Sequence, residues 1–148
     1  LALQHTRPQA RVSALDASTD ALAVARANGE RLGLPVRWLH SDWFSAVPDR
    51  FDLIVSNPPY IREGDPHLPA LRHEPTQALT SGADGLDAIR TLVAQAPQHL
   101  RPGGWLLLEH GWDQAEAVRA LLAQAGGQQV GSRRDLAGIE RCSGAQWP

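Results

Sequence analysis

The segment Asn57-Pro58-Pro59-Tyr60 combines residue types that can hold a planar NH2 group. The Asn57 side chain offers an amide oxygen, and the proline carbonyls accept hydrogen bonds next to positions that have no N–H to donate. An amide or aryl amine nitrogen has a delocalised lone pair, so its alkylation requires acceptors that hold both N–H bonds and direct the nitrogen at an electrophile. The Tyr60 ring can restrain such a planar group. The structural alternative is a Pro-rich strand terminator.

Two acidic residues nearer the start of the chain are candidates for binding a nucleoside. Asp16 follows an apolar run, as does the acid that binds ribose hydroxyls in nucleotide-binding α/β domains. The alternative for Asp16 is an interaction with the dipole of the next helix. Asp42 precedes Trp43 and Phe44, so its carboxylate can accept from an exocyclic adenine amine while an aromatic ring packs nearby. The alternative for Asp42 is a turn aspartate beside two core aromatics.

A parallel sheet would bring these residues to one edge. Short apolar runs alternate with amphipathic helical patterns along the chain, and this alternation indicates βαβ units. In an open α/β sheet, ligands bind beyond the carboxyl ends of the strands, which is where Asp16, Asp42 and Asn57 are expected. The predicted strands span residues 10–15, 36–40, 51–56, 105–109, 128–134 and 140–146, and residues 1–5 are predicted to be helical.

Two long helices have recognisable ends in the first two thirds of the chain. Ser18 or Thr19 is predicted to cap the first of them, and Gly33 to end it. The second begins near Leu86 and shows apolar residues at helical spacing. Pro97 lacks the N–H that a helix interior needs, so we expect it to kink or end this second helix.

Turns, caps and one long loop complete the predicted organisation. Residues 60–83 are polar and Pro-rich without periodicity, and so long a loop in a compact domain is more often functional than idle. Residues 101–104 are predicted to form a turn, and Asp113 with Glu116 a capping box before the last helix. The final two strands, joined by a turn around Gly138, should be antiparallel because a parallel crossover requires a dozen or more residues.

The composition favours one compact domain, residues 1–148. Hydrophobic residues make up 43% and charged residues 20%, which is globular rather than disordered composition. The formal charge is −2 and all 14 basic residues are scattered arginines, which argues against a nucleic-acid-coating surface. The single cysteine, Cys142, and the absence of zinc-ligand spacing predict a reducing cytoplasm and no structural metal. No run is long enough to span a membrane, and no signal peptide is recognisable.

Six sequence blocks resemble the catalytic domain of the HemK/PrmC family, over residues 12–144. N-P-P-Y alone is shared with adenine and guanine N-methyltransferases. The block from Glu74 to Asp87 and the segment Asp135-Leu136-Ala137-Gly138 resemble the HemK/PrmC family and generally not those nucleic-acid enzymes. The resemblance implies a Rossmann-like class I α/β fold, a mostly parallel sheet with an antiparallel C-terminal hairpin, and methylation of a glutamine side-chain amide in release factors by S-adenosylmethionine. The blocks are DASTDALAVARAN, SDWF, FDLIVSNPPYI, EPTQALTSGADGLD, RPGGWLLLEHG and DLAGIER.

The resemblance also implies roles for individual cofactor-binding residues. Asp16 would bind the ribose hydroxyls, Asp42 would bind the adenine amine, and Trp43 would pack near the adenine ring. Asn57 would border the cofactor as well as the substrate. The reaction would be an in-line displacement of the sulfonium methyl by the amide nitrogen, without a covalent enzyme intermediate or a metal.

On the substrate side, the resemblance implies that Asn57, Pro58 and Tyr60 are catalytic. Asn57 and the Pro58 carbonyl would hold the amide, while Pro59 and Tyr60 would line the pocket. Glu74 lies in a block that shapes this pocket, where an ion pair that organises the loop is at least as reasonable as a substrate contact. The partner implied is a peptide chain release factor, with no direct nucleic-acid or membrane partner.

This sequence departs from the family pattern at its start. The glycine-rich loop that approaches the methionine moiety of the cofactor is expected just before Leu1, together with the first and central strand of the family's sheet. The family's N-terminal helical domain is also outside these residues. His110 stands where the family usually has an apolar residue, which we interpret as a local variation and not a ligand.

Two other functions fit parts of the pattern. An N6-adenine or N2-guanine nucleic-acid methyltransferase would share the N-P-P-Y pocket, but it usually holds its base with a basic groove. The absence of lysine and the slightly acidic chain disfavour that class. A non-catalytic remnant that only binds a partner is the alternative from a different class, and the missing glycine-rich loop favours it for these 148 residues but not for their parent protein.

Overall fold

The chain adopts an α/β fold in this computed structural model, which describes residues 1–66, 68–71, 73, 75 and 78–148. Two compact units are present, Leu1–Pro48 and Asp49–Pro148, and each has its own sheet. Within the described residues, no helix combines the length and the apolar character that crossing a membrane requires.

The first unit is a two-stranded parallel sheet with helices. The strands β1 and β2 pair in register, with Asp16 opposite His40. Their carboxyl ends therefore lie side by side at one edge, as the alternating pattern predicts. The elements are α1 (Ala2–Thr6), β1 (Val12–Asp16), α2 (Thr19–Arg31) and β2 (Val36–His40).

Local signals determine both ends of α2. The Ser18 hydroxyl accepts a hydrogen bond from the Ala21 N–H at 3.2 Å, so Ser18 is the N-cap. Gly33 follows the helix with φ 63°, a conformation that glycine adopts without the steric penalty of a side chain. The predicted N-cap and the predicted end of the helix are both confirmed. Helix α2 connects the end of β1 to the start of β2.

The second unit is a four-stranded mixed sheet in the order β3-β4-β6-β5. The pair β3–β4 is parallel, whereas β6 runs antiparallel to both β4 and β5, as predicted for the C-terminal hairpin. Helix α3 ends two residues before Pro97, and the chain continues as a 3₁₀ turn over Ala96–His99. The elements are β3 (Phe51–Ser56), α3 (Asp87–Gln95), β4 (Leu100–Glu109), α4 (Ala115–Gln124), β5 (Gln128–Arg134) and β6 (Glu140–Gln146).

The core of the second unit is built from buried residues of α3, α4 and β4. Alternate residues of β4 are buried because successive side chains of a strand point to opposite faces. Helices α3 and α4 contribute apolar faces at helical spacing. The largest fully buried apolar side chains are Ile89, Leu106, Leu108, Val118 and Leu122.

The predicted turn at residues 101–104 is wrong, because these residues belong to β4. A five-residue step from Leu100 to Trp105 lies opposite a two-residue step on β3, so the strand bulges there. The bulged backbone is hydrogen-bonded to Trp147, just after β6. The Gly103 N–H donates to the Trp147 carbonyl at 2.7 Å, and the Trp147 N–H donates to the Gly104 carbonyl at 2.9 Å. Pairing with the end of the chain makes this segment a strand.

The predicted capping box at Asp113 and Glu116 is also wrong. The N-cap of α4 is Gln114, and it makes no side-chain capping bond. The Asp113 carboxylate instead pairs with Arg62, which belongs to the long loop. The partner of the Asp113 carboxylate is thus the Arg62 guanidinium rather than a backbone N–H group at the start of α4.

Candidate active site

The segment Asn57–Tyr60 begins directly after β3, at the carboxyl end of the parallel pair β3–β4. Ser56 lies opposite Leu108 in the register of this pair. Glu109, the last residue of β4, and Gln114, which comes after this strand, therefore reach the same edge of the sheet. Two prolines stop β3 because they cannot donate to a strand partner.

The hydrogen-bond acceptors of this segment are available to a ligand. Asn57 is exposed, and its side chain makes no hydrogen bond to any described residue. Within the same set of residues, the Pro58 and Pro59 carbonyls accept no hydrogen bond, although Pro58 is buried. These carbonyls and the exposed Asn57 amide together offer acceptors to an N–H donor.

Tyr60 is held at both of its ends. The Gln114 side chain, which is 4% exposed, donates from Nε2 to the Tyr60 backbone carbonyl at 3.1 Å. The Tyr60 hydroxyl donates to Glu109 Oε1 at 3.4 Å and accepts from Arg141 Nη2 at 3.0 Å. The ring is consequently oriented by Glu109 at the end of β4 and by Arg141 near the start of β6.

The backbone at Gly85 lies close to the Tyr60 carbonyl. Gly85 has φ 76°, and a Cβ built there would lie 2.3 Å from the Tyr60 carbonyl oxygen. The Gln114 Nε2 atom donates to the Asp84 carbonyl at 3.2 Å as well as to Tyr60. One buried amide thus joins the residues before α3 to the segment after β3.

Asp84 organises the start of α3. Its Oδ1 atom accepts from the Leu86 N–H at 3.1 Å, and its carboxylate forms an ion pair with Arg90. Hydrogen bonding to the Arg90 guanidinium lowers the pKa of Asp84 to about 2. The carboxylate is therefore charged at neutral pH and keeps this turn in place beside Gly85.

The long loop after Tyr60 closes at its base. Ile61 donates from its N–H to the Leu79 carbonyl and accepts from the Ser81 N–H, both at 2.9 Å. The Ser81 hydroxyl, in turn, accepts from the Ala88 N–H at 2.7 Å and anchors the loop to α3. The family-based expectation for Glu74 lies outside the described residues.

In the first unit, Asp16 ends β1. Its surroundings are compatible with both interpretations, a contact with ribose hydroxyls and an interaction at the start of α2. Its Oδ1 atom accepts from the Ser18 N–H at 2.7 Å, which shapes the turn that starts α2. Its side chain is exposed, and the second carboxylate oxygen has no hydrogen-bond partner among the residues that the structure covers. This second oxygen remains free to accept from a ligand hydroxyl.

A buried serine holds the turn that carries Asp42 and Trp43. The Ser41 hydroxyl donates to the Trp43 carbonyl at 2.7 Å and accepts from the Ala46 N–H at 3.0 Å. Trp43 adopts φ 48°, a region that bulky residues rarely occupy and that persists only where surrounding bonds impose it. Asp42 is left exposed and Trp43 half-buried. Sequence reasoning missed Ser41.

The carboxylates and the indole ring at the end of the first unit's strands suit the nucleoside end of S-adenosylmethionine. Asp16 ends β1 and Asp42 lies two residues after β2, so both reach the carboxyl edge of that parallel sheet. A free carboxylate oxygen suits vicinal hydroxyls, a second carboxylate suits an exocyclic amine, and a half-buried indole suits an aromatic ring. No group of three or more potential metal ligands occurs in the described part of the chain.

His110 has a structural role, in agreement with its interpretation as a local variation. It is fully buried, with Nδ1 2.9 Å from the Gly111 carbonyl and Nε2 2.8 Å from the Ser143 hydroxyl. Both ring nitrogens therefore have partners within the second unit. The imidazole joins the end of β4 to β6.

Three residues that contact Tyr60 were not recognised as site residues from the sequence. Glu109, Gln114 and Arg141 are 49, 54 and 81 residues away from Tyr60 along the chain. The block DLAGIER ends in Arg141, so a signal was present, but no spacing rule connects it to the segment after β3.

Comparison with known proteins places these features in context. The family described as methyltransferase small domain matches residues 1–125. A release factor glutamine methyltransferase from Bordetella pertussis is 60% identical over 141 residues, covering 93% of this chain and 52% of that protein. A protein of the same name from Xylella fastidiosa (strain Temecula1) is 53% identical, covering 100% of this chain and 55% of that protein. The chain spans about half the length of these relatives.

The fold is similar to that of a solved methyltransferase from Pyrococcus furiosus. The TM-score is 0.73 at 19% sequence identity, with 98% of this chain and 66% of that chain covered. At this identity the comparison establishes a shared architecture.

Proposed function

Because this chain belongs to the methyltransferase small domain family, we propose that it is the catalytic part of an enzyme that methylates a glutamine side-chain amide in peptide chain release factors. The class I S-adenosylmethionine-dependent methyltransferase fold predicted by resemblance is confirmed. The glutamine substrate is supported by the names of the close relatives and by the chemistry of the second unit. A translation factor as substrate would place the enzyme in the cytoplasm.

The observation that carries this proposal is the set of open acceptors after β3. Asn57 Oδ1 and the Pro58 carbonyl have no partner among the described residues, and a primary amide presents two N–H donors to them. Holding both N–H bonds fixes the plane of the amide and the direction of its nitrogen. Tyr60, held through its carbonyl and its hydroxyl, can limit movement out of that plane.

S-adenosylmethionine, when bound, supplies an electrophilic methyl group. The residues of the first unit that would hold its nucleoside end are Asp16, Asp42 and Trp43. Asp16 would accept from ribose hydroxyls with the carboxylate oxygen that Ser18 does not occupy. Asp42 would accept from the adenine amine.

Replacing Asp16 by alanine is expected to weaken cofactor binding by about 1.5–3 kcal/mol, the range for a hydrogen bond to a charged group. Calorimetric titration of S-adenosylmethionine into the longest form of the protein that its gene encodes would measure this. Asp20→Ala is the matched control, because Asp20 is another acid in the first turn of α2. Unchanged affinity in Asp16→Ala would favour the helix-start interpretation and contradict the ribose contact.

The substrate class can be tested with methyl-labelled S-adenosylmethionine. The same full-length protein is offered a release factor, ribosomal RNA and DNA in parallel. We expect label in the release factor, on one glutamine located by mass spectrometry. The release factor with that glutamine changed to asparagine, whose amide is one methylene shorter, should stay unlabelled.

Nucleic acid is expected to remain unlabelled. The chain carries a formal charge of −2, so it offers little release of condensed counterions to drive association with a phosphate backbone. Label recovered in adenine or guanine would overturn the proposed substrate and favour a nucleic-acid methyltransferase.

A further inference from the structure

The C-terminal hairpin brings one arginine to the edge of the sheet where Asn57 lies. Strand β6 runs antiparallel to β4, with Glu109 opposite Cys142. Just beyond this pair, the His110 N–H donates to the Arg141 carbonyl at 3.1 Å. Arg141 is consequently placed next to the residues that follow β4, and its side chain extends to Tyr60.

Two contacts join Arg141 to Tyr60, and Glu109 contacts both residues. Arg141 Nη2 donates to the Tyr60 hydroxyl at 3.0 Å, and the guanidinium carbon lies 5.5 Å from the ring centroid. Glu109 Oε1 accepts from the same hydroxyl at 3.4 Å and lies 3.9 Å from Arg141 Nη2. The planar guanidinium can bond to the hydroxyl while lying close to the ring, which an ammonium group does less well.

Orientation is a better account of this cluster than stability. The side chains of Arg141 and Glu109 are 30% and 43% exposed. Ion pairs at such exposure contribute little to folding because water and salt screen them. The same contacts nevertheless restrict rotation of the Tyr60 ring, whose backbone is already held by Gln114.

We propose that Arg141 is a positioning residue, which orients the Tyr60 ring against the amide substrate and so links the C-terminal hairpin to methyl transfer. Arg141 acts through Tyr60 and need not touch the substrate. The inference rests on the proposed function only for its effect on catalysis. The link between the two side chains can be tested separately.

The first test uses the single tyrosine of the 148-residue chain. With ¹³C-labelled tyrosine, NMR reports the Tyr60 ring alone. We expect Arg141→Leu to shift the ring signals, because the hydroxyl loses a donor and the ring loses the adjacent cation. Glu109→Gln, which removes the other charge, should shift them as well.

Arg133→Leu is the matched control for this test. Arg133 is an exposed arginine of the same hairpin, and its guanidinium donates to the neighbouring Ser132 carbonyl at 3.4 Å. The control should leave the Tyr60 signals unchanged. Circular dichroism melting confirms that each variant is folded. Identical Tyr60 signals in folded wild-type protein and Arg141→Leu would overturn the proposal.

The second test measures methyl transfer by the full-length protein. Arg141→Leu is expected to lower kcat about tenfold, equivalent to about 1.4 kcal/mol, with the KM for S-adenosylmethionine little changed. Arg141→Lys should restore part of the rate, because it keeps a donor but not the planar group. Arg133→Leu should retain wild-type kcat.

A double-mutant cycle separates action through Tyr60 from a direct role of Arg141. In a Tyr60→Phe background, Arg141→Leu should lower kcat threefold or less, because the hydroxyl is already absent. The same tenfold loss in both backgrounds would overturn the proposal. Wild-type protein that transfers no methyl to any release factor would refute the proposed function, whereas the NMR test would still decide the Arg141–Tyr60 link.

Discussion

Asn57→Ala is expected to lower kcat for amide methylation by roughly 10²- to 10³-fold, by analogy with loss of one preorganised group from an oxyanion hole. The Asn57 side chain is exposed and makes no hydrogen bond to a described residue, so its removal should leave the fold unchanged. The amide substrate would lose one of two oriented acceptors, and its nitrogen would no longer be held in a fixed direction. Steady-state kinetics with a release factor would measure the loss.

Cofactor affinity separates this effect from general damage. Binding of S-adenosylmethionine to Asn57→Ala should remain close to wild type, because the nucleoside contacts are assigned to Asp16 and Asp42. Gln124→Ala, which removes an exposed amide from α4, serves as the control and should keep full activity. An Asn57→Ala enzyme with wild-type kcat would refute the assignment of Asn57 to the substrate amide.

Gly85→Ala is expected to destabilise the second unit by about 2–5 kcal/mol, the sum of left-handed backbone strain and overpacking. At φ 76° an alanine is strained, and its Cβ would lie 2.3 Å from the Tyr60 carbonyl oxygen and 2.7 Å from Gln114 Nε2. The Tyr60 segment or the buried Gln114 must therefore move. Urea and thermal unfolding of the 148-residue chain would measure the change.

Gly64→Ala provides a control with nearly the same backbone conformation. Gly64 has φ 78°, but no heavy atom lies within 4 Å of the position that its Cβ would take. Its substitution should cost only the strain, about 1–2 kcal/mol. Equal destabilisation by both substitutions would mean that the close approach of Gly85 to Tyr60 contributes nothing.

The variants proposed here change residues at increasing distance from the proposed substrate amide. Asn57 is expected to contact the substrate, Tyr60 to restrain it, and Arg141 to orient Tyr60. Gly85 allows the residues before α3 to approach Tyr60 closely enough for Gln114 to bond to both segments. We therefore expect the loss of kcat to be larger for Asn57→Ala than for Arg141→Leu, and the loss of stability to be largest for Gly85→Ala.

Much of the secondary structure was predictable because its signals are local. Residues 36–40, 51–56, 128–134 and 140–146 are strands with the predicted limits. The run at 51–56 is apolar and ends at two prolines, and such a run is a strand in almost any α/β context. The N-cap of α2 at Ser18 likewise depends only on the three residues that follow it.

The two wrong predictions concern residues whose partners are distant in sequence. The Pro-Gly-Gly composition of residues 101–104 favours a turn, but pairing with Trp147 makes the segment part of β4. Asp113 has the spacing of a capping box, but its carboxylate pairs with Arg62. In each case a tertiary contact outweighs a local preference.

The sequence by itself determined the fold class, the positions of Asp16 and Asp42 at the ends of adjacent strands, and the residue types at Asn57–Tyr60 from which amide binding is proposed. Only the tertiary structure decided how that chemistry is supported. Gln114 and Arg141 reach Tyr60 across 54 and 81 residues of chain. Local patterns depend on residues within a few positions of each other, whereas these contacts arise from strand order and packing, which bring distant segments to one edge of a sheet.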